Sequence, residues 1–353
     1  LRYHPSRFMP TPVKHRFLKF CATVVATACL CMGVGFFLLS GLKHYSQAPV
    51  DSDSGNANAS DFTIAPGDSF RSITRRLTDM GIIHSPLRFR LLARLQKQDK
   101  RIKAGEYRLS SNLAPGEILA KFTNGEVILH RLTVPEGYNL EQIAQSVATA
   151  GFAKADDFLA AANDPKLIES LKIDAPSLEG YLFPDTYHFP RAIDPAKIIG
   201  TMVRELKSTF TPAWEAAARQ SGFTLHQVLT LASIIEKETG APGERALISS
   251  VFHNRLKNRM RLETDPTVIY GIPNFDGNLT RKHLHTPGPY NTYLNIGLPP
   301  GPIASPGAEA IEAALFHEKT EYLFFVSKKD GTHHFSTHLT AHNRAVRKYQ
   351  LTR

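Results

Sequence analysis

The chain has 353 residues, and beyond position 31 it has no cysteine; the three present are Cys21, Cys29 and Cys31. The rest of the protein therefore forms no disulfide, no zinc–thiolate set and no cysteine nucleophile. Tryptophan occurs once, at Trp214, so no ligand elsewhere has an indole platform to stack on. Acidic residues are missing from the first 19 positions, where Arg2, Arg7, Lys14, Arg16 and Lys19 supply five of the net +10. What remains is a modest positive excess without a basic stripe interleaved with aromatics, which argues against a nucleic-acid partner. The G-x-S-x-G and S-x-x-K patterns of serine hydrolases are absent beyond the N-terminal region. "PGERALISS" lacks the lysine of a phosphate-binding loop.

Long apolar runs are also scarce, with one exception. Phe20–Leu42, "FCATVVATACLCMGVGFFLLSGL", holds 23 residues without a charge. As a helix it spans roughly 34 Å, enough for a hydrocarbon core of about 30 Å. A cleavable signal would have a shorter core and a small-x-small site, which "LSGLKHYSQA" provides poorly. A lipidated cysteine is a further alternative, but Cys29 and Cys31 lie mid-run. An uncleaved anchor fits best. The basic flank before it predicts a cytoplasmic N-terminus, with everything after Leu42 on the other side of the membrane.

The predicted organisation is a basic tail (1–19), a transmembrane helix (20–42), a flexible small-polar linker (43–60), a small α+β module (61–170) and a larger mixed α+β domain (171–353). The fold class is α+β. The small module contains an ungapped repeat at an offset of 70, in which Thr63–Ile82 aligns with Thr133–Phe152. Each copy reads as strand, turn at Gly67 or Gly137, amphipathic helix, and a closing Gly81 or Gly151. The plain reading is a duplicated βα unit packing on itself. "PGDSFRSIT" also resembles the start of a LysM module, which binds N-acetylglucosamine polymers, so glycan contact and spacer both stand. In the larger domain, Thr224 is a predicted N-cap of the helix "TLHQVLTLASIIEKET", and "EYLFFVSKKDGTHHFST" predicts a hairpin turning at Asp330-Gly331.

Two glutamates close that helix. On a helical wheel Val228, Leu231, Ala232 and Ile235 form the buried arc, while His226, Thr230, Ser233 and Lys237 face away. Glu236 and Glu238 fall on opposite borders, so periodicity does not choose between them. Solvated charges are the ordinary explanation for acids at such a position. The helix dipole, however, disfavours acids at a C-terminus, which invites a chemical role for one of them.

"ASIIEKET", "SVFHNRL", "LETDPTVIYG", "YNTY" followed by "GLPPGPIASPG", and upstream "EGYLFPDTY", together resemble the YceG-like family of endolytic murein transglycosylases. The likeness covers nearly the whole chain. It implies that Glu236 is the catalytic acid, acting on the β-1,4 bond between N-acetylmuramic acid and N-acetylglucosamine. A single carboxyl suffices when the muramic C6 hydroxyl is the nucleophile, because no second acid is needed to activate water. The implied ligand is a peptidoglycan strand, the implied neighbours are peptidoglycan synthases, and no cofactor or metal is expected. Tyr290, Asn291 and Tyr293, in an irregular polar loop, are candidates for holding sugar hydroxyls and N-acetyl groups. Glu179 could line the cleft or hold backbone amides, and Thr264 and Asp265 could touch substrate or build a turn before Pro266. A non-catalytic glycan-binding scaffold and a hydrolytic muramidase are the rival functions; the latter would need a second acid such as Glu179 or Asp265. His333, His334, His338 and His342 read as surface or capping residues, having no clustered carboxylate for a metal.

Overall fold

A computed structural model of the chain describes residues 13–51, 59–191 and 193–351. Most of the basic tail and the middle of the expected linker lie outside them. The protein is α+β, with two compact units dividing between Ile128 and Leu129.

The first unit runs α1 (Val13–Gln47), β1 (Ser60–Ile64), α2 (Phe70–Asp79), α3 (Pro86–Leu95), β2 (Gly105–Leu109) and α4 (Pro115–Asn124). Within Leu18–Gln47 of α1 an 18-residue stretch reaches a mean hydropathy of 2.2, and this is the only helix among the described residues long and apolar enough to cross a membrane. Its side chains from Leu18 to Leu39 find no protein cover. The expected linker departs from the sequence reading at its start. Lys43–Gln47 continue α1, Leu42 and Tyr45 are buried, and the Tyr45 hydroxyl donates to Ser85 O at 3.1 Å. These apolar side chains order the chain where small polar neighbours predicted a coil. β1 pairs antiparallel with β2, placing Phe62 opposite Tyr107. Phe62, Ile73, Leu77, Phe89, Tyr107 and Phe122 fill this unit's core.

The second unit contains β3 (His130–Thr133), α5 (Leu140–Thr149), α6 (Ala155–Ala162), α7 (Pro165–Ser170), β4 (Thr186–Phe189), α8 (Pro195–Thr209), α9 (Pro212–Ser221), α10 (Leu225–Glu238), α11 (Arg245–Lys257), α12 (Asp265–Tyr270), α13 (Arg281–His285), α14 (Ala308–Leu315), β5 (Phe324–Ser327), β6 (His333–Ser336) and α15 (Leu339–Val346). β3 pairs antiparallel with β4, and β5 with β6, the predicted hairpin. α10 and α14 make the most extensive helix packing in the unit.

The repeat is real, but its copies are used differently from the duplicated self-packing unit read in the sequence. Each strand finds its partner in its own unit, β1 with β2 and β3 with β4. Leu132, Val134, Ile143 and Val147 of the second copy join Ile198, Leu231 and Ile311 in the larger core. The compact units consequently divide inside the stretch 61–170 that the sequence suggested as one module. An amphipathic βα unit buries its stripe against whichever apolar face completes it, and sequence similarity between copies does not specify that partner.

Candidate active site

The site is built on α10. A reciprocal cap fixes its start: Thr224 Oγ1 accepts from Gln227 N at 3.2 Å, and Gln227 Oε1 accepts from Thr224 N at 2.9 Å. Beyond the cap the wheel's polar side is not a solvent face. Thr230 and Ser233 are as buried as the apolar arc, at 1% and 0% exposed. Their hydroxyls are satisfied locally, Thr230 donating to His226 O at 2.7 Å and Ser233 to Thr230 O at 2.8 Å, so burial costs little. Being small, they let a second backbone lie against the helix.

That backbone is Gly301–Gly307, buried throughout. His226 Nε2 donates to Pro300 O at 2.8 Å, while its Nδ1 accepts from the Tyr181 hydroxyl at 2.9 Å. Ile303 N donates to Ser233 Oγ at 3.0 Å. Ser305 exchanges backbone hydrogen bonds with the turn between β3 and α5: Gly137 N to Ser305 O at 2.9 Å, and Ser305 N to Tyr138 O at 2.7 Å. Gly180 admits the segment. At φ +79° its absent Cβ would lie 2.3 Å from Pro302 Cβ, a position that only glycine can occupy.

The segment ends at Glu236. This side chain is 8% exposed, its Oε2 accepts the Gly307 N–H at 3.0 Å, and its Oε1 lies 3.7 Å from Nη2 of Arg245. Gly307 is the N-cap of α14, so the carboxyl stands where the negative end of α10 meets the positive end of α14. Arg245 opens α11, is itself buried, and also pairs with Glu309 in the first turn of α14. Its buried Nε–H has no partner among the described residues. Gly137 lies over the Glu236 methylene, and Lys237 Nζ donates to Gly137 O at 3.3 Å. Glu136 is exposed as a residue, but its carboxylate rests on Gly307. Burial, and next the negative charge of Glu236, push the Glu136 carboxyl above its ordinary value, with Arg245 pulling the other way. One guanidinium thus serves three carboxylates. The arrangement can present a proton from an oriented carboxyl and then hold the carboxylate that remains.

The other sequence candidates form two further groups, and among the described residues none is hydrogen-bonded or ion-paired to Glu236. Glu238 accepts a short hydrogen bond from Thr264 Oγ1, and burial pushes its carboxyl up to about 7. Asp265 accepts from the Tyr293 hydroxyl at 2.7 Å. Glu179 is buried, accepts from Leu140 N at 3.2 Å and from the Tyr270 hydroxyl at 3.1 Å, and is raised to about 7 chiefly by burial. Tyr290 packs on Tyr270 with ring centroids 4.8 Å apart. Asn291 is fully committed. Its Nδ2 donates to carbonyls of His283, Leu284 and Thr286, and its Oδ1 accepts from Tyr293 N, so it fastens the loop after α13 and has no amide hydrogen left for a sugar. His333 binds Glu244 at 2.7 Å and His342 stacks on Phe324. Beside Gly137, a groove of about 460 Å³ is lined by Leu132, Thr133, Tyr138, Gln142, Gln145 and Ser146, an apolar surface carrying a few amide and hydroxyl groups.

Sequence reasoning singled out Glu236 but none of Glu136, Arg245 and Gly307, which the fold brings around it. The repeat held one usable signal: Glu136 occupies the position of Pro66 in the first copy, a charge where the duplicated turn has none.

Comparison with known proteins agrees with this architecture. The model of the YceG-like family matches residues 62–348. An endolytic murein transglycosylase of Bacillus subtilis is 35% identical over 320 residues, covering 85% of this chain and 87% of that protein. One from Streptococcus pneumoniae serotype 2 is 31% identical, covering 80% of this chain and 57% of its relative. The crystal structure of a YceG-like protein from Listeria monocytogenes superposes with a TM-score of 0.57 at 34% identity, covering 81% of this chain and 98% of that one. On the extent of the family match and the identity to these relatives, the chain belongs to the YceG-like family.

Proposed function

We propose that the protein is a membrane-anchored endolytic transglycosylase that cuts peptidoglycan strands between N-acetylmuramic acid and N-acetylglucosamine. Glu236 acts as acid and then as base. In the first step its carboxyl gives a proton to the glycosidic oxygen as the C1–O bond breaks. In the second, the carboxylate takes the proton of the muramic C6 hydroxyl as that oxygen closes on C1, leaving a 1,6-anhydro end. The proton lost is the proton regained, and no water is consumed. The observation that carries this reading is the seating of Glu236, oriented by the Gly307 N–H with the Arg245 guanidinium alongside to stabilise the charge that appears after proton donation. Holding the C6 hydroxyl near C1 supplies a high effective concentration, the work of a shaped cleft. The groove from Tyr138 to Ser146 suits the continuing strand, since an apolar surface with a few amides and hydroxyls can take sugar faces and their donors and acceptors.

The apolar α1 supports a single-pass anchor, and the basic residues before it support a cytoplasmic N-terminus with the chain after Leu42 on the outer face of the cytoplasmic membrane. That location brings the site to strands leaving peptidoglycan synthases, the partners we assign.

The test is mass spectrometry of purified glycan digested by the full-length protein in detergent. The expected products carry 1,6-anhydro ends, and Glu236→Gln lowers their rate about 10²- to 10⁴-fold. Reducing ends would make the enzyme a hydrolytic muramidase. An inert wild-type protein that still binds strands would make it a scaffold.

A further inference from the structure

The core of the first unit begins where the apolar run of α1 ends. Phe36, Phe37, Leu38 and Leu39 are exposed, whereas Leu42 and Tyr45 are buried in that core. α3 and α4 pack on this end of α1. The Tyr45 hydroxyl donates to O of Ser85, the N-cap of α3, and Ser46 lies against Gly116 at the start of α4. Tyr45 is three residues past the run, about 5 Å along the helix axis. With the run filling the hydrocarbon core, the start of α3 lies in the headgroup layer, which is about 5–7 Å deep on each side.

α3 has two apolar faces. Phe89, Leu92 and Ala93 are buried in the unit's core. Leu87, Leu91 and Leu95, one turn apart, point outward at 68%, 48% and 54% exposed. On the helical wheel this stripe is bordered by Arg88 on one side and by Arg90 and Arg94 on the other. None of the three arginines is ion-paired among the described residues. Positions 86–101 carry six basic residues and one acid. The neighbouring α2 shows the ordinary pattern, with Arg71, Ser72, Arg75 and Asp79 on its outward face. A leucine stripe between cations complements a surface that is apolar below and anionic above.

We propose that α3 is a second membrane contact: its leucines enter the bilayer edge beside α1, and its arginines bind the phosphates of anionic lipids. The inference rests on α1 being the membrane anchor. A single spanning helix lets the attached unit turn about it. A second contact, off that axis, fixes which face of the first unit meets the lipid.

Trp214 is the sole tryptophan, so Trp214→Phe gives a dark background for reporters placed in the whole chain. In vesicles with about 30% phosphatidylglycerol and bromine on the upper acyl chain, Leu91→Trp emission is expected to shift to the blue and fall about twofold against unbrominated vesicles. Adding Arg88→Glu and Arg94→Glu, or raising the salt, is expected to restore the emission. Both arginines are exposed, and thermal melting checks that the variants fold. Emission that bromine leaves unchanged, or that falls equally in pure phosphatidylcholine, overturns the proposal. So does shielding of Leu91→Trp from acrylamide in detergent that rises with protein concentration, which would mean that a second copy covers the stripe. Phe36→Trp, inside the apolar run, reports on the anchor separately. If bromine leaves it bright, the anchor reading falls and the inference with it. A quenched Phe36→Trp beside an unquenched Leu91→Trp removes the second contact alone.

Discussion

The two copies of the repeat share a backbone plan and differ in where their turns look. In the first, the turn closes on its own helix. Asp68 accepts from Ala65 N at 2.9 Å and binds Arg76 at 2.5 Å, and Arg76 also reaches Thr63 O. In the second, Tyr138 and Ser146 stand at the positions of Asp68 and Arg76, so that internal clasp is gone. The turn is tied instead to Ser305, Gly307 and Lys237. A duplicated unit thus joins the candidate site by losing a local ion pair and offering its backbone to a distant segment.

Matched substitutions at the turn glycines break this comparison most sharply. Gly67 and Gly137 have φ +87° and +74°, so alanine strains each by about 1 kcal/mol. At Gly67 the added methyl meets open space, whereas at Gly137 it meets Glu236 and Lys237 at 3.6 Å. Both variants should melt a few degrees lower. Only Gly137→Ala should also lower kcat, by about two- to tenfold, because the strained turn is in contact with Glu236 and Lys237. Equal activity in the two would erase the distinction between the copies.

A second measurement contrasts the two glutamates of α10. Glu238 is raised from 4.5 to about 7 in the folded protein. Its contribution to stability is therefore complete below about pH 4.5 and is lost as pH rises through about 7. Glu238→Gln should flatten that loss by about 1–3 kcal/mol between pH 4.5 and 8 in denaturant titrations. A profile as steep as wild type would show that Glu238 is ionised throughout. The smallest effect is expected at the clasp of the first copy. Asp68→Ala should cost under about 1 kcal/mol, since the pair is part-exposed, and should leave kcat/KM unchanged.

Much of this architecture was legible in local sequence. The cap at Thr224, the stop after Glu238, the hairpin at Asp330-Gly331 and both βα copies follow from nearest-neighbour chemistry. Glu236 came from motif resemblance, because its helical phase matches that of Glu238 in amphipathicity. What stayed hidden is set by long-range packing. Ser233 is polar on a wheel and buried in the protein, where Ile303 supplies a backbone donor from 70 residues away. Arg245 is an unremarkable helix-start residue until α14 brings Glu309 to it. Asn291 has the composition of a sugar ligand, yet three carbonyls of its own loop consume its amide.

The seam along Gly301–Gly307 bears on the order of folding. Glu236 and Gly307 are 71 residues apart in the chain, and Lys237 and Gly137 are 100 apart. Such contacts form only after large loops close, later than the helices they join. α10 can be helical, and its core packed, while its terminal carboxyl still lacks its amide and its cation. The capacity to cut glycan should therefore be among the last properties to return on refolding, lagging the recovery of helical signal. A chain still folding would remain harmless to peptidoglycan until its folding is complete.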